Sequence, residues 1–380
     1  MNKNDRVYLS SYVDLVKETN KFEPNKALFG AQMGLFSEVG SLISLLKKKL
    51  LNSSLSNESN NQIIEEMGDI FWYFTLITIV KNIDFNELFE STESFTTVGN
   101  DLLITDIIDR PIIQVNSKEK AGIDEEELFV KLMSQLVCLN QEPNLNALRN
   151  FLDVYLQFMS FLELSLLAIV ERNTFKIRDR FIEIDQLKLP ELCFDDGFDS
   201  DEQLPINFEV HIIKKSNGKS YLKWNGVFIG SALNDNHQDS DNYKYHDVFH
   251  LAFAAVLHWS PTFRALIKHK RKSEPSIDEN QDSGRPIVIE EGLSAWLFSM
   301  SKENNIDFTD KDNISYDLLK TIRIFVKGYE VEKCPLQLWV KAITLGYSVF
   351  NQVVENEGGI IIGNRKKRTL EYKKFERSEP

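Results

Sequence analysis

Two groups of acidic side chains sit inside otherwise apolar stretches of this sequence. The first is Glu38 in LFSEVGSL; the second is Glu65, Glu66 and Asp69 in IIEEMGDIFWYF. Glu66 and Asp69 are three residues apart, a spacing that projects both carboxylates from one face of a helix. Their neighbours are core-type residues: Leu35, Phe36, Val39 and Leu42 around Glu38, and Ile63, Ile64, Met67, Ile70 and Phe71 around the second group. Carboxylates gathered at the edge of a core repel one another and lose solvation, so they call for a bound cation. Mg²⁺ suits them, because it takes oxygen ligands and keeps waters that substrate phosphates can replace. Gly40 and Gly68 follow the acids in both stretches. Gly costs a helix roughly 1 kcal/mol relative to Ala, and close packing or ligand approach would account for it. For an EExxD taken alone, a plainer reading holds, in which the acids stand solvated on a helix face.

A second constellation lies further along. His246 and His250 in YHDVFHLAFAAVLHW are four apart, the spacing by which one helix face grips a metal, and Asp247 lies beside them. IVIEEGLSAWLF then places Glu290 and Glu291 at the start of another apolar helix. Two imidazoles and a carboxylate from a second helix could hold a transition metal such as Zn²⁺, Mn²⁺ or Fe²⁺ with open positions. The order is similar to that of zinc hydrolases, but Asp247 is not in the place of their Glu base. The intervening KHKRKSEPSIDENQDSGR supplies Lys268, Lys270, Arg271, Lys272 and Arg285, cations suited to a phosphate or nucleotide. The competing reading makes His246 and His250 lining of a helix–helix interface, with Asp247 and Glu291 as hydrogen-bond partners. Phe249, Phe253, Trp259, Trp296 and Phe298 fit a core better than a base-stacking box.

The elements that must carry these residues are mainly helices. Apolar periodicity predicts helices over 5–19, 26–51, 62–81, 125–140 and 145–181, with a Ser/Asn-rich loop at 52–61 and an ambiguous, β-branched stretch at 91–122. The acidic, aperiodic ELCFDDGFDSDEQLP marks a boundary near Asp185 and divides the chain into domains 1–185 and 186–380. The second domain opens with a predicted small β-hairpin, 208–214 and 221–224 around Ser216-Asn217-Gly218. Helices over 245–258, 287–304, 316–329 and 335–357 follow, then a basic tail with Arg365, Lys366, Lys367 and Arg368. The expected fold is therefore a helical bundle followed by a mostly helical α+β domain.

Composition narrows the function. The chain has 380 residues, with 57 Asp and Glu against 44 Lys and Arg and a net charge of −13, which argues against a nucleic-acid partner. Three isolated cysteines, Cys138, Cys193 and Cys334, offer neither a disulfide framework nor a zinc ribbon. The N-terminus lacks the pattern of a signal peptide. The apolar run 70–80 is too short to cross a bilayer, and 151–170 is broken by Asp153, Gln157 and Glu163. A cytoplasmic protein with no membrane partner is expected.

Residues 26–183 resemble the all-α nucleoside triphosphate pyrophosphohydrolases of the MazG and dimeric dUTPase type. The resemblance rests on Glu66 and Asp69 in EEMGDIFWYF, the spacer between positions 41 and 66, and the basic helix ERNTFKIRDRF. It implies Mg²⁺, with Mn²⁺ as an alternative, held by Glu38, Glu66 and Asp69. It also implies catalytic roles among Glu38, Glu65 and Glu66, and triphosphate binding by Asn173, Lys176 and Arg180. The substrates would be nucleoside triphosphates, cleaved to the monophosphate and pyrophosphate by a homodimer or higher homo-oligomer. One position departs: where the family has a further Glu, this sequence has Ser41. A hydroxyl carries no charge, so a nucleotide sensor with weakened catalysis is the alternative, its second domain an effector or a separate metal-dependent hydrolase. YHDVFHLAFAAVLHWSP, KRKS and IVIEEG in turn resemble a domain that follows MazG-like domains in some two-domain bacterial proteins.

Overall fold

The computed structural model describes residues 7–51, 57–89, 95–98, 101–104, 125–181, 192 and 194–375. The chain divides into two compact units, Met1–Phe181 and Ile182–Pro380. It is mainly α, with one five-stranded antiparallel sheet in the second unit.

In the first unit, α1 (Leu9–Thr19) buries Leu9, Tyr12, Val13 and Val16, the stripe that helical spacing dictates. α2 (Ala27–Leu51) and α3 (Asn57–Val80) form the central pair. Gly34 allows their close approach, since a Cβ there would stand 2.2 Å from Cε1 of Tyr73. The stretch expected as a loop is partly helical: α3 begins at Asn57, and residues 52–56 lie outside the described residues. Next come α4 (Phe85–Phe89), a hairpin of β1 (Phe95–Val98) and β2 (Asp101–Ile104), and α5 (Glu125–Gln141). Most of the ambiguous 91–122 stretch lies outside the described residues. Three glutamates open α5, where the helix dipole favours negative charge.

The single helix expected over 145–181 is in fact two, α6 (Leu145–Phe161) and α7 (Leu166–Phe181), with a bend of 99° between them. Leu162 caps α6 by donating its N–H to the Phe158 carbonyl at 3.0 Å, and Glu163 turns at φ 57°. A straight helix of that length would run about 55 Å at 1.5 Å per residue. The bend instead returns Leu166, Ile169 and Val170 to the core. α2 departs from the sequence reading too. By length and composition it is the one single helix among the described residues able to cross a bilayer, and Phe29, Met33 and Phe36 stand exposed along it.

The second unit begins with a meander of β3 (Asn207–Lys214), β4 (Ser220–Trp224) and β5 (Val227–Leu233). α8 (Asp247–Leu257) is buried along its whole length. Around it come α9 (Pro261–Ile267), α10 (Pro275–Ile277), α11 (Gly284–Asn304), α12 (Tyr316–Phe325) and α13 (Leu336–Glu355). The chain ends in β6 (Gly358–Asn364) and β7 (Thr369–Lys373), which complete the order β5-β4-β3-β6-β7. The predicted hairpin is thus β3 and β4 of a larger sheet. The basic stretch expected as an exposed tail is the β6–β7 turn. Its Arg365 is buried and pairs with Asp195 at 3.0 Å, and Arg368 donates to the Val256 carbonyl.

A buried ion network ties these layers together. Arg271 donates to Asp282 at 2.6 Å and to Glu330 at 2.8 Å, while Arg264 pairs with Asp195. Arg271, expected in a phosphate-binding loop, is therefore fully engaged in structure, whereas Lys268, Lys272 and Arg285 are exposed. Arg271→Met should lower the stability of the protein by about 3–5 kcal/mol, because it takes the main partner from buried Asp282 and part-buried Glu330; urea denaturation followed by circular dichroism measures this.

Candidate metal centres

The core of the first unit raises polar groups to one acidic cluster. Tyr12, Phe71 and Tyr155 stack with ring centroids 5.5 and 6.0 Å apart. The Tyr155 hydroxyl donates to the Met67 carbonyl at 2.9 Å, and that of Tyr12 to Oδ1 of Asn173 at 2.8 Å. Oriented this way, Asn173 donates from Nδ2 to Asp69 at 2.9 Å. Gly68 leaves room for that amide, since an added Cβ would stand 2.9 Å from Cβ of Asn173. Gly40 has no such neighbour within 4 Å.

Glu38 of α2 and Glu66 and Asp69 of α3 bring one carboxylate oxygen each within 4.8 Å of one another. Burial, then the charge of Asp69 and a hydrogen bond shared with Glu66, push the Glu38 carboxyl up to about 8; Lys176 opposes them. Lys176 also donates to Asp69 and lies 3.3 Å from Oε1 of Glu65. Of the expected residues, Glu38, Glu66 and Asp69 converge, and Lys176 links Asp69 to Glu65. Arg180 lies in the last turn of α7, and its side chain falls outside the described residues. Tyr12 is the contributor that the sequence reading missed, and only its place in the α1 stripe hints at it.

The histidine cluster starts at the head of α8. A 3₁₀ turn, Tyr243–Tyr245, precedes it, so the helix begins at Asp247 with His246 as its cap. Nδ1–H of His246 donates to the Tyr243 carbonyl at 2.9 Å, and the Tyr243 ring stacks on the imidazole at 4.3 Å. Nδ1–H of His250 donates to Oε1 of Glu290 at 3.0 Å. Glu290 is itself held by the Ser260 hydroxyl at 2.6 Å and the Thr262 amide at 2.8 Å. Ser260 also caps α9, which fixes the position of both groups.

These Nδ1 bonds leave each Nε2 facing acids. His246, Asp247 and His250 present ligand atoms within 4.8 Å of one another. Glu291 of α11 reaches in, one oxygen 3.5 Å from Nε2 of His246 and the other 3.4 Å from Nε2 of His250. Burial opposes a charge on His250, but Glu290 and Glu291 outweigh it and hold its pKa well above the usual imidazole range. Burial raises the pKa of Asp247, with the two histidines opposing. Burial also acts to raise that of Glu291, yet the imidazoles of His246 and His250 beside it bring it well below the carboxylate range. Glu290 and Glu291, adjacent in sequence, thus serve differently: one orients a histidine from behind, the other faces the cluster. Tyr243, Ser260 and Thr262 escaped the sequence reading, although the Ser-Pro start of α9 was a legible cap.

A mainly helical protein with a carboxylate cluster in one unit and a histidine–carboxylate cluster in the other is what fold and sites define. Residues 190–376 match the family model of the MazG C-terminal domain, which relates the chain to MazG proteins through its second unit. No curated protein and no solved structure matches the chain.

The two glycines give a paired test. Gly68→Ala should destabilise the protein by about 1–3 kcal/mol, since overpacking against Asn173 exceeds the gain in helix propensity. Gly40→Ala, which meets open space, should be neutral or stabilising by up to about 1 kcal/mol. Chemical denaturation of both variants checks this.

Proposed function

We propose that the first unit is a Mg²⁺-dependent nucleoside triphosphate pyrophosphohydrolase that cleaves (d)NTP to (d)NMP and pyrophosphate. The observation that carries this reading is the convergence of Glu38, Glu66 and Asp69 beneath a helix that offers Asn173 and Lys176. An all-carboxylate donor set with a cationic edge fits a hard divalent ion and a polyphosphate. Relation to MazG proteins through the second unit points to nucleotide chemistry as well.

Bound there, Mg²⁺ would supply charge that neutralises the triphosphate and favours departure of pyrophosphate. The chain's own residues do the rest. Asn173, braced by Tyr12, keeps Asp69 in its rotamer. Lys176 and Arg180 neutralise outer phosphates. Glu65 orients a water and accepts its proton as the α–β anhydride breaks; the bridging oxygen leaves with pyrophosphate and the water oxygen stays on the monophosphate. A nucleotide sensor is the second reading, favoured by the uncharged Ser41.

Incubation of the full chain with a panel of NTPs and dNTPs and Mg²⁺ should release pyrophosphate. Glu65→Gln should lower kcat by about 10²–10⁴-fold, the range for a lost general base, and Glu66→Gln should abolish release. Nucleotide binding without release by the wild type would favour the sensor. Release unchanged in Glu66→Gln would place the chemistry elsewhere.

A further inference from the structure

We propose that the second unit binds one divalent transition-metal ion through Nε2 of His246, Nε2 of His250 and the carboxylates of Asp247 and Glu291. The inference stands on residues apart from the pyrophosphohydrolase reading.

The tautomers come first. The Tyr243 carbonyl can only accept, so Nδ1 of His246 carries a hydrogen. Glu290 accepts from the Ser260 hydroxyl and the Thr262 amide, as an ionised carboxylate does, so Nδ1 of His250 carries one too. In the neutral rings each Nε2 then turns a lone pair toward Asp247 and Glu291. Lone pairs and carboxylates repel, and the arrangement holds together only around positive charge. Nε2 of His250 is buried and has no hydrogen-bond partner of good geometry, although Glu291 lies 3.4 Å away.

The spacing suits an ion. Ligands at about 2.0–2.1 Å from a tetrahedral centre lie about 3.3 Å from one another. The Nε2-to-Glu291 separations of 3.4 and 3.5 Å are close to that edge. The supporting contacts suit it as well: metal-bound histidines characteristically donate Nδ1–H to a carboxylate or a backbone carbonyl, and both forms occur here. Two imidazole nitrogens select borderline ions such as Zn²⁺, Fe²⁺ or Co²⁺ over Mg²⁺ and Ca²⁺. An entry path exists on one side, because the Glu291 side chain is 41% exposed while His250 is 1% exposed.

Chelator-stripped full-length protein carrying Glu66→Gln, which disables the carboxylate cluster, is titrated with Co²⁺ and separately with Zn²⁺. One equivalent of either ion should bind per chain, with Co²⁺ giving the intense visible absorption of a nitrogen–oxygen tetrahedral site. His246→Gln and Glu291→Gln should remove that spectrum. Glu290→Gln should weaken binding by about 10–100-fold as the loss of an orienting partner. Glu291→Gln alters a part-exposed side chain, so circular dichroism should show it folded. No Co²⁺ or Zn²⁺ bound at micromolar concentration, or binding indifferent to the His246 and Glu291 changes, would overturn the proposal and leave a protonated histidine–carboxylate cluster.

Discussion

Charge withdrawn from water must meet opposite charge nearby, and both units of this protein are arranged around that requirement. In the first, three carboxylates share a space of under 5 Å, and Lys176 leans on one of them. In the second, two histidines are held between acids, and Arg264, Arg271 and Arg365 thread the surrounding layers to Asp195, Asp282 and Glu330. The arginine network satisfies itself and needs no ligand. The two acid-rich clusters differ because their positive partners are few or are protons. That contrast separates scaffold from site.

Apolar packing sets the precision of both clusters. The ring column of Tyr12, Phe71 and Tyr155 is core, but its hydroxyls reach Asn173 and the Met67 carbonyl and so tie the core to the acidic cluster. In the second unit, the buried α8 leaves His246, Asp247 and His250 little freedom, and the capped start of α9 fixes Glu290 behind them. Rigid elements thus present groups whose own hydrogen bonds already determine their direction.

Much of this was legible before any fold was known. The apolar stripe of α1, the helical settings of Glu66 and Asp69, and the four-residue step between His246 and His250 are local facts, set by 3.6 residues per turn. The 145–181 stretch was misread for the opposite reason. Its apolar pattern runs on without Gly or Pro, but Glu163 turns to positive φ and the Ser165 hydroxyl accepts from the Ala168 amide at 3.2 Å, which starts a second helix that returns to the core. The basic terminal stretch differs from its expected form for a similar reason: β6 pairs with β3 and β7 pairs with β6, which makes the charged run the turn between two strands.

By itself, then, the sequence determined which side chains were available, which helices carried them and which faces they occupied, because those depend on neighbours a few residues away. Tertiary structure decided which charges were already neutralised. Arg271 left the phosphate loop for Asp282 and Glu330, Glu290 and Glu291 took opposite sides of one histidine, and Lys176 settled on Asp69. Partners separated by 11 to 107 residues made those choices, and Coulomb interactions across a low-dielectric interior depend on distance in space rather than along the chain.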